Sequence, residues 1–441
     1  MSKAINDDVE EGDDILNKNP LVDEEAPGES SKSHVLTYYG LTVGAMLLIV
    51  VIVFIISVKF GGSAGVGEKS NSFTSIYISD ESANIKLFNS NINRSISYLI
   101  IDGQEVNITN ITGEYTFESK GKHKVEVFLN EELDSFSSLF ENCSDLIEVD
   151  LSQIKTDKLT NMSKMFNGCA KLTSVDFSKL GTSNVLDMSN LFNGCVELES
   201  INLNKTSTVK VERMNNMLSS CRKLESLNLS NFKTSKVKNM SAMFMGCSSL
   251  SELNLSNFRT HKVLNMRHMF DSCTSLKKLD LSRFITINVR DMSSMFASLS
   301  ELTSLDLRNF ETPRVTDMNS MFYGCKSLKE INLKSFRTYN LRQMTYMFYK
   351  CESLTSLDLS NFNTSRVENM GAAFNSCKNL KYLDIRNFNT NGLILLNKVF
   401  LDVSDNGRII YNSKHFMKNL FRDTNIEKWD QADFAYIIDD H

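Results

Sequence analysis

The sequence predicts an α/β solenoid of about ten 26-residue repeats, each a short parallel strand followed by a short helix. A small β domain and a single transmembrane helix should precede the array. Three observations carry this reading. Cysteines stand at 143, 169, 195, 221, 247, 273, 325, 351 and 377, each a multiple of 26 residues from the first, and Leu299 fills the one vacant place. Within each unit the apolar spacing changes from alternation to helical steps of three, three, one and three. Residues 35–58 run without a single charge.

Residues 1–34 hold three Lys against ten Asp and Glu, a balance of −7 within a chain of −5 overall. They show no apolar periodicity and contain Pro20, Pro27 and Gly28, so they are read as a disordered acidic tail. The remainder is near +2 with no basic block, which argues against nucleic-acid binding.

Residues 35–58 read VLTYYGLTVGAMLLIVVIVFIISV. At about 1.5 Å per residue such a helix crosses a hydrocarbon core of about 30 Å with some tilt. Tyr38 and Tyr39 fall where an interfacial aromatic belt would sit. The run is too long and starts too late for a cleaved signal peptide, so a retained signal-anchor is expected. Flanking charges nearly tie. Asn-x-Ser/Thr sequons at Asn93, Asn107 and Asn110 follow the span, which favours an N-terminus in the cytoplasm and an extracellular array at the cell surface.

Residues 59–72 form a Gly/Ser linker. GGSAGVGEKS imitates a phosphate-binding loop, but Glu68 occupies the place of the required Lys and no strand precedes it. Residues 73–130 alternate apolar and polar residues, and Asp102-Gly103 marks a hairpin, so a small β domain of four to six strands should cover the open end of the array.

The array occupies residues 131–402. In the unit from Cys247 to Cys273, Leu250, Leu253 and Leu255 follow a leucine-rich-like L-x-x-L-x-L spacing, and Phe258 closes the strand. Val263, Met266, Met269, Phe270 and Cys273 then follow at helical intervals. Asn265 and its equivalents Asn161, Asp187, Asn239, Asp291, Asp317 and Asn369 suit an N-cap. The Met/Phe stripe reads as core rather than as a metal or redox chain.

The cysteine column has two readings. Stacked strands about 4.8 Å apart bring equivalent Cα atoms within disulfide range, and an extracellular setting is oxidising. Nine is odd, however, and Leu299 shows that the site accepts an apolar filler, so buried free thiols are preferred. Zinc is disfavoured, since no Cys-x-x-Cys pair or recurrent His exists. No cofactor is implied.

Thirteen residues after each Cys position stands Thr in all ten units, read as a turn-holding hydroxyl. Seven residues after it stand Asp150, Asp176, Asn202, Asn228, Asn254, Asp280, Asp306, Asn332, Asp358 and Asp384. On the exposed, concave strand face these ten are the candidate binding ladder for a polar ligand or divalent cations, or they simply bond rung to rung.

The array resembles the BspA-type leucine-rich repeat surface proteins, in the branch whose units read like SLTSLDLSNFNTSRVENMGAAFNSC (residues 353–377) or SVDFSKLGTSNVLDMSNLFNGC (residues 174–195). The resemblance covers about residues 131–402 and implies surface display and adhesion to host or matrix proteins, with no catalytic motif to carry over. Residues 403–441, with an expected strand and amphipathic helix at 407–421 and the single Trp429, read as a C-terminal cap.

The six His are scattered and no nucleophile elbow is present, so the chain is read as no enzyme. The expected function is a membrane-anchored surface protein whose solenoid binds a protein or glycan. The alternative is a structural or coat protein without a specific ligand.

Overall fold

The computed structural model describes residues 70–109, 111–389, 393–394, 396–412 and 429–433. The chain divides into Met1–Glu68 and Lys69–His441, and the description below concerns the second unit. The acidic tail, the apolar segment 35–58, almost all of the linker and the helix expected within 407–421 lie outside the described residues, apart from the first part of that last stretch. Among the described residues no helix is long and apolar enough to cross a membrane.

Six strands come first: β1 (Ser72–Ser79), β2 (Ala83–Lys86), β3 (Ile96–Ile101), β4 (Gln104–Val106), β5 (Glu114–Phe117) and β6 (Gly121–Leu129). Asp102 and Gly103 both hold positive φ, 50° and 83°, which closes the tight β3–β4 hairpin with the local twist that neighbouring strands need. β7 (Leu146–Asp150) is the strand of the first repeat. It pairs antiparallel with β1, so the sheet order β4-β3-β6-β1-β7 carries the N-terminal domain straight onto the end of the array. That pairing covers the strand edge the first unit would otherwise expose.

The repeats then stack in parallel, 26 residues per step. Strands β8 (Ser174–Asp176) and β9 (Ser200–Asn202) pair with each other, as do β10 (Ser304–Leu305) and β11 (Glu330–Ile331). β12 (Ser356–Asp358), β13 (Tyr382–Asp384), β14 (Arg408–Tyr411) and β15 (Asp430–Asp433) form one sheet. On the opposite side, parallel bridges link equivalent residues of successive units from Ser135↔Asn161 to Gln343↔Asn369.

The α/β architecture is corrected here. Among the described residues the structure is almost all β, with 2% helix, and the one helical piece is a six-residue 3-10 turn at Ser90–Ser95. The second half of each unit is a chain of turns. In the specimen unit the amides of Met269, Asp271 and Cys273 reach back three residues, to the carbonyls of Met266, His268 and Phe270, each at 3.2 Å. The alternate amides leave the unit. Met266, His268, Phe270 and Ser272 donate to Asp291, Ser293, Met295 and Ala297 of the next unit at 2.9–3.0 Å. An α-helix needs every amide for its own i→i−4 ladder. It also excludes left-handed residues, whereas His268 and Ser272 sit at φ 54° and 61°. Turns that each advance three residues produce the same three-residue apolar spacing as a helix face, which is why the inward stripe is real although the helix is not. Asn265 caps no helix: its Oδ1 accepts the Arg267 amide at 2.9 Å in a local side-chain turn.

Burial follows the columns. Met266, Met269, Phe270 and Cys273 are fully buried. Phe244, Phe270, Phe296, Phe322, Phe348, Phe374 and Phe400 stack ring on ring, with centroids 5.2–6.0 Å apart. A second file runs Phe258, Phe284, Phe310, Phe336, Phe362 at 6.1–6.5 Å. All nine cysteines are free and buried, so the disulfide alternative falls. Each thiol from Cys169 onward instead donates to a carbonyl of the preceding unit, as Cys273 Sγ does to Phe244 O at 3.0 Å.

The array ends against Trp429, which is buried and donates through Nε1 to Ser404 O at 2.9 Å. A Cβ on Gly407 would fall 2.8 Å from both the Trp429 ring and Lys381 O, so only glycine fits beneath the indole.

Candidate functional site

The ten Asp and Asn of the ladder come from ten units and share one role that their spacing alone did not reveal. In every rung Oδ1 accepts the backbone N–H two residues on, from Asp150–Ser152 at 2.8 Å through Asn254–Ser256 at 3.0 Å to Asp384–Arg386 at 3.2 Å. The remaining seven bonds span 2.7–3.1 Å. Short polar side chains compete well for a local amide, so the rung folds its own strand end into the turn toward the inward Phe. The bonds are made within a rung, not mainly between rungs.

One acceptor atom of each ladder residue is therefore committed, and the outward atom is what a ligand would meet. Most rungs are exposed, but Asp384 is buried at 1% and held by the Arg386 guanidinium. Asp306 is likewise gripped by Arg308, with Nη2–Oδ2 at 2.7 Å, and that side-chain bond first of all keeps its carboxyl below the usual carboxylate range. The Ser282 amide and hydroxyl do the same for Asp280. Burial alone would raise Asp358, but Ser360 and the Lys334 ammonium of the preceding rung, 3.6 Å away, outweigh it. Lys278, Asp280, Ser282, Ser304, Asp306 and Arg308 line an open recess of about 570 Å³ between two rungs. Among the described residues no three His, Cys, Asp or Glu gather as a metal site.

Replacing Asn254 by Ala should lower stability by about 0.5–1 kcal/mol, whereas Asn254→Asp keeps the Oδ1 acceptor and should leave the urea midpoint near that of the parent. Equal losses for both would contradict the turn-holding role.

The threonine column also differs from its sequence reading. Thr260 Oγ1 accepts the Ile285 amide at 2.7 Å and donates to Ile285 O at 2.9 Å, in the next unit. Thr182, Thr208, Thr234, Thr312, Thr338 and Thr364 make the same double bond one unit on. They stitch units together and are buried.

Sequence reasoning missed one cluster. Tyr323 and Tyr349 stack at 5.1 Å, Tyr346 meets Tyr349 edge-on at 5.5 Å, and Lys350 Nζ lies 5.3 Å from the Tyr349 ring centre. The available signal was positional: no Tyr occurs between Tyr115 and Tyr323.

One family model matches residues 109–227, 134–252, 197–304, 292–413 and 330–435, overlapping segments that together run from 109 to 435. Its description is "Mycoplasma protein of unknown function, DUF285". The chain belongs to this family. Each DUF285 match spans several units, so the family model follows a run of repeats rather than one. No curated protein matches the chain. Among solved structures, a TLR13–ssRNA13 complex matches with 16% identity and a TM-score of 0.19, covering 62% of this chain and 52% of that one. A leucine rich cell surface protein from Faecalibacterium prausnitzii A2-165 matches with 16% identity and a TM-score of 0.22, covering 56% of this chain and 74% of that one. The chain spans about half the length of the first of these.

Proposed function

We propose that this DUF285 chain is a non-catalytic recognition protein displayed at a cell surface, whose repeat array binds an extracellular protein or glycan. The observation that carries the reading is the ladder itself. Ten polar rungs recur at one register, each pinned by the amide two residues on, so the face is rigid before any partner arrives and little ordering entropy opposes binding. Long repeat faces are what stacked arrays offer to partners. The resemblance to BspA-type repeat surface proteins, carried by residues 353–377, supports the same reading.

Two measurements test it. On intact cells with a tag at each end, added protease should remove the C-terminal tag and spare the N-terminal one; the reverse would end the surface reading. For binding, the full-length chain is applied to a glycan array and a panel of extracellular-matrix proteins, beside Asp280→Asn with Asp306→Asn. These changes keep the Oδ1 acceptor of the local turn and remove the outward charge, together with the Asp306–Arg308 ion pair. A tenfold or larger loss for a captured partner is expected, and an unchanged profile would remove the ladder from the proposal.

A further inference from the structure

The repeat keeps its columns so evenly that its departures are informative, and the largest one lies between residues 319 and 352. This stretch holds Tyr323, Tyr339, Tyr346 and Tyr349, four of the 12 Tyr in the chain. It carries six Lys and Arg; Lys334, Arg337 and Arg342 pair with Asp358, Glu311 and Glu368, while Lys326 and Lys350 stand three residues and one residue after Tyr323 and Tyr349. At the register of Tyr346 the neighbouring units place Ser320 and Ala372, and at the register of Tyr349 they place Tyr323 and Asn375. Tyr346 is 45% exposed and stands between those two small residues as a knob on the turn side of the array, away from the strand ladder.

We propose that this turn-side patch docks an acidic polypeptide segment, with Tyr346 and the Tyr323–Tyr349 pair as anchors and Lys326 and Lys350 as the charged rim. Tyrosine supplies a large contact at low entropic cost, which is why it concentrates in the energetic centres of protein interfaces. The ring geometry selects a polypeptide over a sugar. Tyr323 and Tyr349 turn their faces toward each other at an interplanar angle of 13°, and Lys350 lies over Tyr349, so no open ring face remains on Tyr349 for a pyranose to stack on. Lys326 and Lys350 make no ion pair among the described residues, so their charge is available to Asp or Glu. The patch is independent of the ladder, and its success or failure leaves the ladder reading untouched.

The test uses the full-length chain in detergent and three probes: a fluorescein-labelled 12-residue peptide of Glu and Asp with two Leu, its Lys counterpart, and heparin. The acidic peptide should bind saturably and at least tenfold more tightly than the Lys peptide. Tyr346→Ala with Tyr349→Asn should weaken it tenfold or more, and Lys350→Glu should weaken it and flatten its salt dependence. Both tyrosine replacements use residues the array already places at these registers, Ala372 and Asn375, and Ala372 shares the left-handed backbone of Tyr346 (φ 52° against 57°). The fold should therefore survive, which the far-UV spectrum and urea midpoint verify. Equal binding of the two peptides, parent-like binding by the double variant, or binding of heparin in place of the acidic peptide would each overturn the proposal.

Discussion

Raising the pH above about 9 should unfold the array abruptly, and the steepness should scale with the number of cysteines. Burial pushes the thiols of Cys143, Cys247, Cys325 and Cys377 up to about 12 from an ordinary 9.0, and it raises Cys169, Cys195, Cys221, Cys273 and Cys351 as well. A thiol is neutral when protonated. Below pH 9 both folded and unfolded chains keep the proton and no dependence arises. Between 9 and 12 the unfolded chain releases it while the folded chain retains it, so stability falls as pH rises. Each thiol can contribute a slope of about 1.4 kcal/mol per pH unit. Nine acting together give roughly 12 kcal/mol per unit, comparable with the whole stability of a domain. Urea midpoints by circular dichroism at pH 7, 8, 9 and 10, under a reductant, measure the slope. Cys247→Ala, Cys273→Ala and Cys325→Ala combined should start lower at pH 7, because cavities form, yet lose about a third of the slope above pH 9. Identical slopes would mean that the thiols reach water in the folded state.

The period, the inward columns and the exposed register of the ladder were legible in the sequence, because a 26-residue register fixes which side chains share an environment. The conformation of the second half was not. Met266, Met269 and Cys273 fall three and four apart whether the backbone is helical or a chain of three-residue turns, so periodicity cannot separate the two. The discriminating signal was Gly168, Gly194, Gly246 and Gly324, all at the register of Ser272 and all at φ 68–77°. Glycine in that recurrent place reads as a left-handed turn rather than a helix interior. Of the site, the ladder's exposure was readable, whereas its side-chain turn was not, because the bond from Oδ1 to the amide two residues on depends on a backbone conformation that the spacing does not fix. The threonine bonds were out of reach, since Thr260 finds its partner 25 residues away, where no local rule points.

That distant partnership makes two chemically identical substitutions diverge in sign. Thr260 is buried, with its hydroxyl bonded both ways to Ile285. Thr206 is equally buried, but it stands in the register of the inward Phe file, and its Oγ1 has no hydrogen-bond partner. Thr→Val preserves shape and removes only the hydroxyl. At Thr260 it removes both hydrogen bonds to Ile285, an exposed residue whose freed groups can turn to water, at about 0.5–1.5 kcal/mol for each bond lost. A loss of about 1–3 kcal/mol is therefore expected, in the middle of the stack. At Thr206 the same change deletes a desolvated hydroxyl and should stabilise by about 1 kcal/mol. Hydrogen exchange would localise the first effect, with amides near Ile285 and their neighbours in the preceding unit losing protection while the β1–β7 end stays closed. In an array each interface contributes its own share, so opening one step need not melt the rest. Urea midpoints moving in the same direction for both variants would refute the assignment of these threonines as stitches between units.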